Sequence, residues 1–336
     1  MIKKAFWRLI EWLGRPIRDE RTGEVIGRGM VWCWWGRAWL IGLHRPYVRA
    51  VFLPQGDLKY ARHRIGFATP EPVDYPRLLP QNEIGGTGEI LWAILVHHSP
   101  QECESILNHW RALGYPTDHI LAVHGGREAD FKGLSHPHKV FVTDENLRTS
   151  RHPLEKQSYA GPLRETARWM AQRPSYQYVC LVEYDHSPVV ADWGAHLIRQ
   201  TIAEKADVLF HHLTRVDGTN APHYLYHSAD PEFAGTWEGC SLREDRKVIL
   251  NCMATGSFWK REAFEAVAST PESRPVFLEM YLPSQAHHLG FRVRDHGEQN
   301  DFVDFEPLTA GRIKTFLQSG AWSMHPVKNP RALRPE

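Results

Sequence analysis

"YVCLVEYDHSPV", residues Tyr178–Val189, is an apolar run that ends abruptly in two acids and a histidine. Tyr178–Val182 reads as a buried strand, and Glu183, Tyr184, Asp185 and His186 follow at its carboxyl end. Side chains alternate along an extended segment, so Glu183 and Asp185 are expected on one side and Tyr184 on the other. Carboxylates gathered in a cleft repel each other and lose hydration unless a proton or cation compensates. A hard divalent ion such as Mn²⁺ or Mg²⁺ would do so while leaving coordination positions for phosphate oxygens. The plainer reading is that Asp185 and His186 cap the strand and open a turn at Ser187-Pro188.

The flanking sequence gives the stretch a context. Strands are expected at Ile90–Val96, His119–Val123, Lys139–Thr143 and Asp207–His212, and helices at Gln101–Leu113, Ala160–Gln172 and Gly194–Glu204. This alternation is the pattern of an α/β domain with a mainly parallel sheet covered by helices. Such sheets bind ligands at the carboxyl ends of their strands. Polar clusters fall at those ends: His97-His98, His124-Gly125-Gly126, and Glu183–His186.

Upstream the chain changes character. Met1–Pro80 holds 14 Lys and Arg against 7 Asp and Glu, and six of the 13 tryptophans, although the 336-residue chain carries a net charge of only +1. Ile2–Leu13 has the period of an amphipathic helix. "VWCWW", "AWLIGL", "YVRAVFL" and "RIGFAT" then read as a small antiparallel meander, and the Pro- and Gly-rich Pro70–Gly88 reads as a linker. Two regions are expected, 1–80 and 81–336. The basic helix with Trp7 and Trp12 either packs on the protein or lies on an anionic membrane surface, the contact being assigned to residues 1–43.

The near-neutral balance excludes a dedicated nucleic-acid binder. Five scattered cysteines make no CxxC pair, which argues against a disulfide framework or cysteine zinc site and points to a reducing cytoplasm. The 20 histidines contain no HExxH spacing. "IGGTG" at Ile84–Gly88 lacks the Lys-Ser/Thr of a phosphate loop and precedes the first strand. No transmembrane span is expected, because the longest apolar stretch, Met30–Leu43, is short and interrupted by Arg37.

From about Ile90 to Lys328 the chain resembles a GT-A type glycosyltransferase, with Glu183-Tyr184-Asp185 in the place of that family's DxD motif. "MATGSFWKREAFEAV" (Met253–Val267) resembles the small-residue turn and following helix on the donor-sugar side. "VFLEMYLPSQAHHLGFRV" (Val276–Val293) resembles the acid-bearing acceptor helix, and "WSMHPVK" (Trp322–Lys328) the late segment that closes over the diphosphate. The first acid is Glu where the family pattern has Asp. The resemblance implies Mn²⁺ or Mg²⁺ held by Asp185 and His325. It has Glu183 acting directly, through water or on the ribose, and Lys328 offsetting charge on the departing diphosphate.

In an inverting transfer Glu279 would be the general base, with Asp295, Asp301 and Asp304 competing for that role, and the residues leave open whether transfer is inverting or retaining. His97, His98, Gly125, Gly126 and Asp144 would receive the base and ribose. The implied donor is a nucleotide sugar, such as a UDP- or GDP-sugar, and the acceptor a carbohydrate or lipid-linked hydroxyl, with the enzyme cytoplasmic or peripheral at the inner membrane face. A sugar-nucleotide nucleotidyltransferase and a non-catalytic carbohydrate-binding or assembly module on the same sheet are the alternatives.

Overall fold

Strand side chains alternate between two faces, and a strand reads as continuously apolar only when both faces are covered. The computed structural model shows this arrangement. It describes residues 89–144, 160–218, 231–242, 247–270, 278–304 and 307–328, with strand backbones between residues 16 and 62 and a few isolated positions. The chain divides into two compact units, Met1–Thr69 with Thr214–Glu244, and Pro70–Leu213 with Asp245–Glu336.

The first unit contains β1 (Pro16–Asp19), β2 (Val25–Arg28), β3 (Met30–Trp34), β4 (Arg37–His44), β5 (Tyr47–Leu53) and β6 (Tyr60–Arg62). The expected runs "VWCWW", "AWLIGL" and "YVRAVFL" supply β3, β4 and β5, an antiparallel meander in the order β3-β4-β5, and a second three-stranded sheet has the order β2-β1-β6. In that second sheet β6 returns to pair with β1, out of chain order. The expected helix Ile2–Leu13, the "RIGFAT" run and the linker Pro70–Gly88 lie outside the described residues.

The second unit is built on β7 (Glu89–Val96), β8 (Ile120–His124), β9 (Lys139–Phe141), β10 (Tyr176–Glu183), β12 (Val208–Arg215), β13 (Leu250–Lys260) and β14 (Val293–Asp295). Their order is β14-β12-β13-β10-β7-β8-β9. β10 and β7, β7 and β8, β8 and β9, and β12 and β14 run parallel, while β13 runs antiparallel to β10. Helices α1 (Pro100–Ala112), α2 (Glu128–Gly133), α3 (Ala160–Met170), α4 (Trp193–Ala203), α5 (Arg261–Ala268), α6 (Leu278–His288) and α7 (Ala310–Gln318) accompany the sheet.

One face of the sheet presents Leu91, Ala93, Leu121, Val123, Val179 and Leu181 to a core shared with Leu163 of α3, Phe264 of α5 and Leu282 of α6. The other presents Trp92, Ile94, Ile120, Tyr178 and Cys180 to Leu107 and Trp110 of α1 and to Trp193 and Leu197 of α4. This two-sided burial explains why the expected α/β class, with a mainly parallel sheet flanked by helices, was visible in unbroken apolar runs.

One segment differs from expectation. Met253–Val267 carries the expected helix as α5 but not the expected turn, because Leu250–Lys260 is an eleven-residue strand pairing with β10 before α5 begins. Its small residues answer a packing need. Gly256 has φ +74°, and a Cβ there would lie 2.3 Å from His186 Cε1. Small residues in a buried strand permit close approach as readily as they permit a turn.

Candidate functional site

Strand β10 ends at Glu183, and the next residues turn, with the His186 N–H donating to the Glu183 carbonyl at 3.0 Å. Asp185 therefore lies on a turn and not, as simple alternation implied, in the strand. The turn still keeps its carboxylate near that of Glu183, and a distant segment meets the turn there. A two-residue strand β11 (Ser187–Pro188) pairs antiparallel with β15 (Ser323–Met324), and the Val327 N–H donates to the Asp185 carbonyl at 2.7 Å. Met324 and Val327 anchor this segment in a cluster with Phe302, Ile313 and Ala321. The late segment is thus held in place by protein contacts of its own.

The result is a converging donor set. Ligand atoms of Glu183, Asp185 and His325 all lie within 4.8 Å of one another. His325 Nε2 stands 3.3 Å from Asp185 Oδ1 and 4.0 Å from Glu183 Oε2. Its Nδ1 lies 2.9 Å from the Asp304 carbonyl, which can only accept, so Nδ1 carries a hydrogen. Nε2 is therefore the ring atom that faces both carboxylates, an arrangement that suits a cation between them. Asp185 Oδ1 is itself buried without a hydrogen-bond partner. Two carboxylates and an imidazole, with an orphaned oxygen among them, suit a hard or borderline divalent ion.

The electrostatics separate the two acids. Loss of hydration, reinforced by Asp185 and Glu279 and opposed by His325 and Lys328, pushes Glu183 up to about 7. The 36 % of its side chain that stays exposed tempers that rise. Burial works the same way on Asp185, but the His325 ring and then the Lys328 ammonium hold it down to about 2. Asp185 is the standing anion of the site.

Lys328 contacts Asp185 Oδ2 and donates to the Tyr184 hydroxyl at 2.9 Å. Its Nζ lies 4.9 Å from the Tyr184 ring centre. That ring packs against His98 at 4.3 Å and His97 at 5.0 Å between centroids, so the histidines ending β7 join the acidic turn. Burial, then His98 and His124, lowers His97 to about 4 and leaves it neutral. The loop is fixed by the start of α1, where Ser99 and Glu102 make a reciprocal cap.

The remaining expected residues divide. Gly125 donates its N–H to the Val96 carbonyl, and Gly126 backs onto the histidine loop, where a Cβ would lie 2.4 Å from the His97 carbonyl oxygen. Glu279 occupies the first turn of α6, near enough to add to the rise in Glu183. Asp144 lies beside Gly161 near the start of α3, beyond the edge strand β9, with β8 and β7 between that strand and β10. Among the competing bases, Asp295 accepts from the N–H groups of Leu213 and Gly297 and from Asn300 Nδ2, and Asp304 pairs with Arg312. Asp301 is exposed.

A layer of polar residues beneath the acids was not anticipated. The Thr255 hydroxyl accepts from the Glu183 N–H at 3.0 Å, and His186 reaches the Thr255 and Ser323 hydroxyls at 3.2 and 2.9 Å. His211 stacks on His296 at 4.1 Å, and both lie buried beyond His186. The signal available in sequence was a strand unusually rich in Thr, Ser and Gly.

No protein-family model and no curated protein matches the chain. Among solved structures, it is similar to mannosyltransferase PcManGT from Pyrobaculum calidifontis in complex with GDP-Man and Mn²⁺, with 12 % identity over 68 % of this chain and 57 % of that one, TM-score 0.36. It is also similar to core-mannan synthase A (CmsA/Ktr4) from Aspergillus fumigatus in an Mn/GDP form, with 11 % identity over 79 % of this chain and 86 % of that one, TM-score 0.35. S. aureus TarS 1-349 matches with 10 % identity over 62 % of this chain and 58 % of that one, TM-score 0.34. The chain therefore spans under two thirds of the first and third of these proteins. The GT-A-like expectation for the domain agrees with the observed seven-stranded, mainly parallel sheet that carries the acidic turn at the carboxyl end of β10.

Proposed function

We propose that the chain is a metal-dependent glycosyltransferase that passes a sugar from a nucleoside-diphosphate sugar to a hydroxyl of a carbohydrate or lipid-linked acceptor. The observation that carries this reading is the Glu183, Asp185 and His325 donor set at the strand end, with the Lys328 ammonium beside it. Asp185 and His325 would hold Mn²⁺ or Mg²⁺, and Glu183 would bind through water or take a ribose hydroxyl. A divalent ion so placed supplies positive charge against a diphosphate leaving group.

The chain's own groups do the rest. Lys328 adds a mobile charge that stabilises the departing diphosphate. His97 and His98 with the Gly125-Gly126 backbone form a floor for the base and ribose of a UDP- or GDP-sugar, and Asp144 is held as an outer ribose or base acceptor. Glu279 takes the acceptor's hydroxyl proton. The region 1–80, and residues 1–43 in particular, would bring the enzyme to a membrane-borne acceptor at the cytoplasmic face, while 81–336 carries the chemistry. Among the described residues, no helix is long and apolar enough to cross a membrane.

The test is a thermal-shift titration with a panel of nucleoside diphosphates, with and without Mn²⁺, on wild type and Asp185→Ala. One nucleotide should stabilise the wild type only when metal is present, by about 2.7 kcal/mol at a hundredfold excess over Kd, and the variant should show none of this. Absence of a shift with every nucleotide, or a shift that survives both metal removal and Asp185→Ala, would overturn the reading.

A further inference from the structure

The acids of the site already have a resident cation. Lys328 Nζ sits on Asp185 Oδ2, the oxygen next to the orphaned Oδ1, while its second contact is the Tyr184 hydroxyl at 2.9 Å. Tyr184 is the residue between the two acids, and its ring is fixed by packing on His98 and His97. The Lys328 side chain is 52 % exposed, whereas that of Asp185 is 4 % exposed. Lys328 is therefore free to swing outward while the carboxylate stays in place. An ammonium and a divalent ion on one carboxylate repel each other, so the two cannot share Asp185 without cost.

Resting on the reading above, we propose that Lys328 is a displaceable counter-ion. It neutralises Asp185 until a divalent ion takes the carboxylate, and Tyr184 then keeps the released ammonium within reach of the incoming diphosphate. The metal alone must evict Lys328, whereas metal arriving with a diphosphate gives the ammonium a new anionic partner. Metal and nucleotide binding are consequently coupled through one side chain, and the coupling is reciprocal. Tyr184 acts here as a positioning residue.

The experiment measures free Mn²⁺ by electron paramagnetic resonance during titration of wild type, Lys328→Met and Asp185→Asn, each with and without GDP or UDP. Lys328→Met should bind Mn²⁺ alone roughly ten- to hundredfold more tightly than wild type, the scale of losing one charge-assisted contact. The added nucleotide should then improve Mn²⁺ affinity far less than it does in wild type. A gain caused only by removing a distant positive charge would vanish in about 0.5 M salt, whereas displacement of a contact persists. Equal Mn²⁺ affinity in Lys328→Met and wild type, or a difference abolished by salt, overturns the proposal and leaves the glycosyltransferase reading standing. Mn²⁺ binding undiminished in Asp185→Asn instead removes the metal site and both readings with it.

Discussion

At the scale of the residue, Gly256 shows how tightly the acidic turn is supported from below. Its φ of +74° is costly for any side chain, and a Cβ would lie 2.3 Å from His186 Cε1 and 3.1 Å from His211 Nε2. Gly256→Ala should therefore destabilise the protein by about 2–4 kcal/mol, the sum of left-handed strain and overpacking, as read by urea denaturation. Because His186 immediately follows Asp185, the same variant should also weaken metal-dependent nucleotide binding at temperatures where it remains folded. A variant as stable as wild type would show that the His186 ring has room to retreat.

At the scale of the element, β12, β13 and β14 are tied at the end of the sheet remote from the acids. Asp207 is fully buried, accepting from Lys260 Nζ and from the Arg292 N–H at 2.9 Å each. Lys260 pairs in register with Tyr178 at the start of β10, the end opposite Glu183. Asp207→Ala leaves the Lys260 ammonium without its carboxylate and should cost about 3–5 kcal/mol in a denaturant titration. The nucleotide affinity of the folded fraction should be unchanged, since the tie lies a strand's length from the site. A loss of affinity with stability intact would contradict that separation.

For the whole molecule, buried histidines make stability depend on pH. Burial lowers His296 to about 3, and lowers His211 well below its ordinary value, helped by the neighbouring His296. Unfolded, both take a proton near about 6.5. Their contribution to stability is therefore complete above that pH and lost as pH falls from about 6.5 toward the folded values. Each histidine should add a slope of about 1.4 kcal/mol per pH unit in that window. Urea midpoints measured at pH 7.5, 6 and 5 should fall accordingly, and a flat profile would mean that these rings are protonated in the native protein.

Much of this architecture was legible in local pattern. Unbroken apolar runs such as Ile90–Val96 and Tyr178–Val182 identified the strands because both sheet faces are covered, and the acids at the end of β10 marked its carboxyl edge. The small residues that open Met253–Val267 serve tight turns and tight packing alike, and only the neighbours His186 and His211 show that they belong to the Leu250–Lys260 strand. Glu183 and Asp185 were paired correctly on the wrong ground, since a turn rather than strand alternation brings them together. The sequence by itself determined the sheet, its covering helices and the chemical character of the strand end, because these follow from short-range periodicity. Only the tertiary structure decided that His325 and Lys328, some 140 residues away, close on Asp185. That contact depends on the β11–β15 pairing and the packing of Met324 and Val327, which are long-range interactions that leave no period in the chain.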